Sequence, residues 1–198
     1  MNIRTQQAGF NLIELMTVVT IAAALAVVAV PSYKYATTSN RVSAEINGLL
    51  NDIQFTRYEA LKEGMNVTIC PYTSSAPNVC DATATNWGEG WIVLSNSADG
   101  TLGVSTVLRR QAPFANFNSS DTLTSAIGAS AQTSILFNRE GFATVLTGTT
   151  YGLPTGTVKF SLHDPTSSAT FTRCLMVATS GSVNTTTAGK TVYSTTCS

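Results

Sequence analysis

One stretch limits what this chain can fold into more than any other: residues 15–30, LMTVVTIAAALAVVAV, carry no charge, and only Thr17 and Thr20 among them are polar. A helix from Phe10 to Val30 would extend roughly 30 Å at about 1.5 Å per residue, the thickness of a bilayer's hydrocarbon core. One carboxylate, Glu14, falls inside that span. An ionisable group at membrane depth costs at least ~2.5 kcal/mol and marks a functional position by default. The run therefore predicts a membrane-resident helix whose single acid has a purpose.

What precedes the run separates it from an ordinary export signal. Met1 to Gly9 is short and polar with one basic residue, Arg4. A secretory signal has its small-residue cleavage site after the apolar core. Here the small residue, Gly9, comes first, so cleavage there would leave the apolar helix on the mature chain. Glycine also offers a protease an unobstructed backbone. The new amine would belong to Phe10, and Glu14 lies four residues on, along the same helical face. In lipid a carboxylate needs a cation, which the terminal amine of a neighbouring identical helix can supply.

The stretch Gly9-Phe10-Asn11-Leu12-Ile13-Glu14-Leu15, with its apolar run closed by Pro31, resembles the prepilin signature of type IV pilins and type II secretion pseudopilins. The resemblance implies cleavage between Gly9 and Phe10 by a prepilin peptidase on the cytoplasmic side. It further implies N-methylation of Phe10 and pairing of Glu14 with the Phe10 amine of an adjacent subunit. Asn11 stands where Thr or Ser is commoner in the family.

Composition narrows the remainder. The 198 residues leave room for one membrane helix and one soluble domain of roughly 130 residues. Eleven Lys+Arg balance eleven Asp+Glu, which gives no general field for nucleic acid or anionic lipid. Only 11% of residues are charged and Ser, Thr and Asn abound, as suits an exported β-rich domain. All four cysteines (Cys70, Cys80, Cys174, Cys197) follow the apolar run, so an oxidising periplasm is their expected setting. Three connectivities are open; Cys70–Cys80 and Cys174–Cys197 are expected because each closes a local loop. No CxxC pair exists and His163 is the sole histidine, so neither metal nor cofactor is expected.

After Pro31 the helix is expected to continue with a kink. From Tyr33 to Glu63, Val42, Ile46, Leu49, Leu50, Ile53, Ala60 and Leu61 recur at helical spacing and predict one face against a sheet. Glu45, Asn51, Asp52, Arg57, Glu59 and Lys62 are assigned to the wet side, and Gly64 to the stop. Beyond it the period changes to that of strands: 66–70 ended by Pro71, 91–94 after a Trp87–Trp91 turn, 104–110, 134–137, 142–146 after a 138–141 turn, 157–162, 174–178 and 181–184. Segments 71–86 and 111–132 read as surface loops.

The order of these blocks carries a second resemblance. INGLLNDIQFTRYEALKEG, VTIC, WGEGWIVL, ILFNREG and CLMVATSGSV together are similar to the soluble domain of the GspH/FimT family of minor pilins and pseudopilins. Trp87, Gly90, Trp91, Gly141 and Gly181 are its structural signature here, with the tryptophans read as core and turn residues. The resemblance implies an α+β, type IV pilin-like fold: a long N-terminal helix packed on a C-terminal β-sheet domain. The expected division is 1–9 leader, 10–33 transmembrane and assembly helix, 34–63 amphipathic half, and 64–198 β-rich domain.

Enzyme chemistry finds no support. His163 sits in a turn-like His-Asp-Pro and reads as a solvated loop residue, and no G-x-S-x-G motif occurs. One branch of the family takes up DNA through a Gly-Arg-x-Arg motif near its C-terminus. The matching residues here, Gly181-Ser182-Val183-Asn184, lack both arginines, and Arg109-Arg110 point to opposite strand faces. The resulting expectation is a FimU-like minor pilin, single-pass in the inner membrane with its domain in the periplasm and later in the pilus. Its expected partners are prepilin peptidase, membrane lipid before assembly, and other minor and major pilins. A type II secretion pseudopilin is the alternative, and a DNA-binding competence pilin a more distant one.

Overall fold

The computed structural model describes residues 9, 11–81, 83–95, 106–114, 121–147 and 150–198. Phe10, residues 104–105 of the expected third strand and residues 115–120 of the second expected loop lie outside them. Two compact units are present, residues 1–39 and residues 40–198.

Helix α1, Leu12–Glu63, supplies the apolar run to the first unit and an amphipathic stretch to the second. Asn11 opens it: its carbonyl accepts the Glu14 and Leu15 amides at 3.0 and 3.2 Å, and its side-chain oxygen faces the Ile13 N–H at 3.4 Å. Pro31 lies within the helix.

In the second unit the strands form two antiparallel sheets. The first contains β1 (Val67–Pro71), β2 (Trp91–Ser95), β3 (Thr106–Gln111), β6 (Ile135–Phe137), β7 (Ala143–Thr147) and β8 (Thr150–Gly152), in the order β3-β2-β1-β6-β7-β8. The second contains β4 (Thr122–Ile127), β5 (Ser130–Ala131), β9 (Val158–His163), β10 (Arg173–Val177) and β11 (Val183–Thr187), in the order β11-β10-β9-β4-β5. A small hairpin, β12 (Thr191–Val192) with β13 (Thr195–Thr196), ends the chain.

Val42, Ile46, Leu49, Ile53 and Ala60 of α1 share one core with Val67, Ile69, Val93, Ile135 and Phe137 of the first sheet and Val158, Phe160, Leu162, Leu175 and Val177 of the second. The spacing of the helical positions places them on one stripe, which is why a single helix can seal both inner faces. The expected α+β fold is the observed one.

Strands β1, β2 and β10 are buried almost without alternation, and the reason lies on the outer faces. Outside the first sheet, Cys70, Tyr72, Ile92 and Leu94 form a second small core, joined by Cys80. Outside the second sheet, Cys174, Met176 and Cys197 form a third, with Val192. The disulfides Cys70–Cys80 and Cys174–Cys197 fasten these covers in place. Strands covered on both faces read as continuous apolar runs.

Several expectations need correction. Segment 111–132 contains strands β4 and β5, with β4 paired along β9. Its inward positions are Leu123 and Ser125, the latter's hydroxyl donating to the Gln132 carbonyl, so a small polar residue hides the alternation. Pro71 is the last residue of β1, paired only with Trp91, where its missing N–H costs no ladder bond on the other side. The strand expected at 181–184 runs from Val183 to Thr187. On α1, Asp52 and Thr56 are buried and Leu61 is half-exposed. His163 ends β9, half-buried, with Nδ1 3.2 Å from the Thr172 hydroxyl oxygen.

Candidate functional site: a bare apolar helix and a charged seam

Within residues 12–30 every large apolar side chain is between 53% and 76% exposed. The two polar residues of the run cost nothing in such a setting: Thr17 donates its hydroxyl to the Glu14 carbonyl and Thr20 to the Thr17 carbonyl, both at 2.8 Å. Both hydroxyl protons are thus satisfied inside the helix, as lipid or a dry bundle requires. Glu14 is exposed, and no described residue bonds its carboxylate. Gly9 is exposed and Pro31 is exposed within the helix.

The signature block around the tryptophans is structural. Trp87 begins a single 3-10 turn, Trp87–Glu89, capped by Asn86, whose side-chain oxygen accepts the Gly88 N–H at 2.9 Å and the Leu123 N–H at 3.0 Å. One amide thus ties the turn to β4. Gly90 follows with φ +109°, and a Cβ there would stand 2.5 Å from the Gln111 carbonyl. Trp87 packs edge-on against Phe160 at 4.9 Å and Trp91 against Phe114 at 5.7 Å. Gly141 and Gly181 belong to two turns stacked over α1: Arg57 donates to the carbonyls of Ser180 and Gly181, each at 3.1 Å.

A seam of charge runs along the helix where the sequence suggests a wet face. Asp52 accepts the Trp91 indole N–H at 2.8 Å, and Arg109 Nε lies 3.0 Å from its other oxygen while the guanidinium covers the Phe55 ring. Arg110 instead reaches Tyr72 and Asn78, on the opposite face. Three turns earlier on α1, Arg41 Nη2 meets Asp121 Oδ1 at 2.9 Å and its Nε stands 3.9 Å from Glu45. Burial pushes the Glu45 carboxyl up to about 7, helped by the Asp121 charge and opposed by Arg41. Burial also raises Asp121, with Arg41 opposing and Asp164 adding.

None of these partners was named by the periodicity of the sequence. The available signal was Asp52 itself, an acid between Leu49, Ile53 and Thr56 on the buried stripe. Beside the seam, Gly48 sits in the helix interior, where glycine costs about 1 kcal/mol relative to alanine. Nothing lies within 4 Å of the Cβ it lacks, so no internal packing demands it.

An antiparallel α+β domain in a chain that also holds an uncovered apolar helix is the combination that the sequence's resemblance to pilins implies. The model of the family described as type II transport protein GspH matches residues 45–181, and the chain belongs to that family. Comparison with curated proteins returns no match. Among solved structures, the chain is similar to the type IV minor pilin FimU of Pseudomonas aeruginosa PAO1. One crystal form (P65) has 16% identity, covers 76% of this chain and 90% of that chain, and gives a TM-score of 0.46. A second (P21) has 16% identity, covers 78% and 89%, and gives 0.45.

Proposed function

We propose that this chain is a minor pilin of the FimU-like kind, which helps to initiate or cap a type IV pilus together with other minor and major pilins. The observation that carries the reading is the run of exposed apolar side chains around one acid, Glu14, on α1. In this reading residues 10–33 span the inner membrane once, residues 34–63 scaffold the domain, and residues 64–198 lie in the periplasm. Prepilin peptidase cuts after Gly9, and the Phe10 amine is methylated. The helix then leaves lipid for a bundle of equally apolar helices, a transfer nearly neutral in hydrophobic terms. Glu14 sets the register against a neighbouring Phe10 amine, because an unpaired buried charge costs several kcal/mol.

The description of the matched family favours one second reading, a minor pseudopilin of a type II secretion system, which would use the same helix in a periplasmic filament. DNA uptake is disfavoured: Gly181-Ser182-Val183-Asn184 lacks the paired arginines, and Arg109 and Arg110 are engaged within the domain. Mass spectrometry of native material tests the common part, with an N-methylated Phe10 terminus expected. Glu14→Ala is expected to leave cleavage and folding intact and to reduce filament incorporation at least several-fold; undiminished incorporation would refute the role of the acid. Presence in sheared pili supports the pilus reading, whereas absence there combined with a secretion defect on deletion favours the pseudopilus.

A further inference from the structure

We propose that the groove over Gly48 receives a lysine or arginine side chain from a partner subunit, its aliphatic stem lying on Gly48, Trp91 and Phe114 and its cationic head meeting Glu45. The proposal deepens the subunit reading above and rests on it.

The groove has a volume of about 270 Å³ and is walled by Ala44, Gly48, Trp91, Gln111, Pro113 and Phe114, with Glu45 as its one carboxylate. Three observations point to the occupant. Gly48 gives up helix stability although a Cβ there would meet only open space, so the benefit of its small size lies outside the described fold. Glu45 Oε2 is buried and has no hydrogen-bond partner, and Oε1 is 3.9 Å from the Arg41 Nε, too far to bond. Arg41, the only cation facing this corner among the described residues, commits its Nη2 to Asp121, while Asp164 adds a further negative charge beyond Asp121. Two carboxylates, those of Glu45 and Asp121, thus share one guanidinium.

Charge complementarity selects among possible fillers. A purely apolar side chain would fill the groove and leave the Glu45 carboxylate without a donor. An acid would add a further negative charge beside Glu45 and Asp121. Lysine and arginine combine an apolar stem with a donor head, and only they match both walls and floor. The groups facing Glu45 are Arg41 from its own helix and Asp121 from the residue preceding β4. With its carboxyl titrating near 7, the charged fraction of Glu45 falls about tenfold between pH 8 and pH 6, and affinity for a cation falls with it.

The full chain in lipid nanodiscs is titrated with n-butylguanidinium chloride, with n-pentanol as the neutral control, while the indole N–H resonances of Trp91 and Trp87 are followed. The cation is expected to shift Trp91 saturably and to leave Trp87 in place, several-fold more weakly at pH 6 than at pH 8. Glu45→Gln should abolish the pH dependence and most of the binding. Gly48→Leu, whose side chain occupies the groove, should abolish binding with the Trp87 resonance unchanged. No shift, an equal shift with pentanol, or an unchanged titration in either variant overturns the proposal. A benzophenone crosslinker at position 44 in assembled filaments then identifies the donor. A mapped partner peptide carrying Lys or Arg supports the proposal; a partner peptide without one overturns it and leaves the subunit reading standing. Failure of the chain to enter any filament overturns the subunit reading and the donor with it.

Discussion

Replacing Asp52 should show that this acid is held for an indole rather than for an arginine. Its side chain is 3% exposed and accepts the Trp91 N–H at 2.8 Å, while Trp91 is itself 1% exposed. Asp52→Ala leaves a buried indole donor orphaned, which costs about 1–3 kcal/mol, and removes a hydrogen bond to a charged group of similar worth. The ion pair with Arg109 adds less, because that guanidinium is 44% exposed and rehydrates when released. Together these give about 3 kcal/mol, a large part of a typical 5–15 kcal/mol domain stability. Asp52→Asn keeps an acceptor for the indole and should cost only about 1 kcal/mol. The assay is urea unfolding of the full chain in detergent micelles, followed by tryptophan fluorescence. In the Asp52→Ala background, Trp91→Phe should cost about 2 kcal/mol less than in the parent, because the orphaned donor disappears with it. Equal penalties for the Asn and Ala variants, or no coupling to Trp91, would refute the reasoning.

Two further outcomes follow from the same structure. Gly181→Ala should destabilise by roughly 3 kcal/mol or more, since the new Cβ would stand 2.2 Å from the Gly141 carbonyl at φ +77°; Gly189→Ala, at φ +78° with open space around it, should cost only about 1 kcal/mol, and equal losses in thermal unfolding would contradict the clash. Glu45 binds its proton more tightly folded than unfolded, so its contribution to stability is fully present below pH 4.5 and is lost as pH rises to about 7, on the order of 2 kcal/mol in all. Glu45→Gln should flatten that part of the stability–pH profile; a variant with the same slope as the parent would count against it.

Much of the architecture was legible because its signals are local. A charge-free run longer than any soluble strand needs no partner to be recognised, and neither does the alternation of Val67 to Cys70. Cysteines 10 and 23 positions apart made local closure the simplest pairing, and those pairs are the ones joined. Strand β4 has no readable alternation because Ser125 fills an inward position, satisfied by a carbonyl seven residues ahead. The sequence assigns Asp52, Glu45 and Arg57 to the wet side because a charged residue is exposed by default. Their partners, Trp91, Asp121 and the Ser180–Gly181 carbonyls, lie far along the chain, where no periodicity reports them.

By itself the order of residues determined a helix too apolar for water, an acid within it, a change from helical to strand period after Gly64, and the turns that glycine and proline enforce. These rest on interactions within a few positions of one another. Only the tertiary structure decided which charges are buried and which sheet faces receive a stapled cover. Those outcomes depend on desolvation and pairing between segments up to 124 residues apart, energies that arise only once the sheets close over the helix.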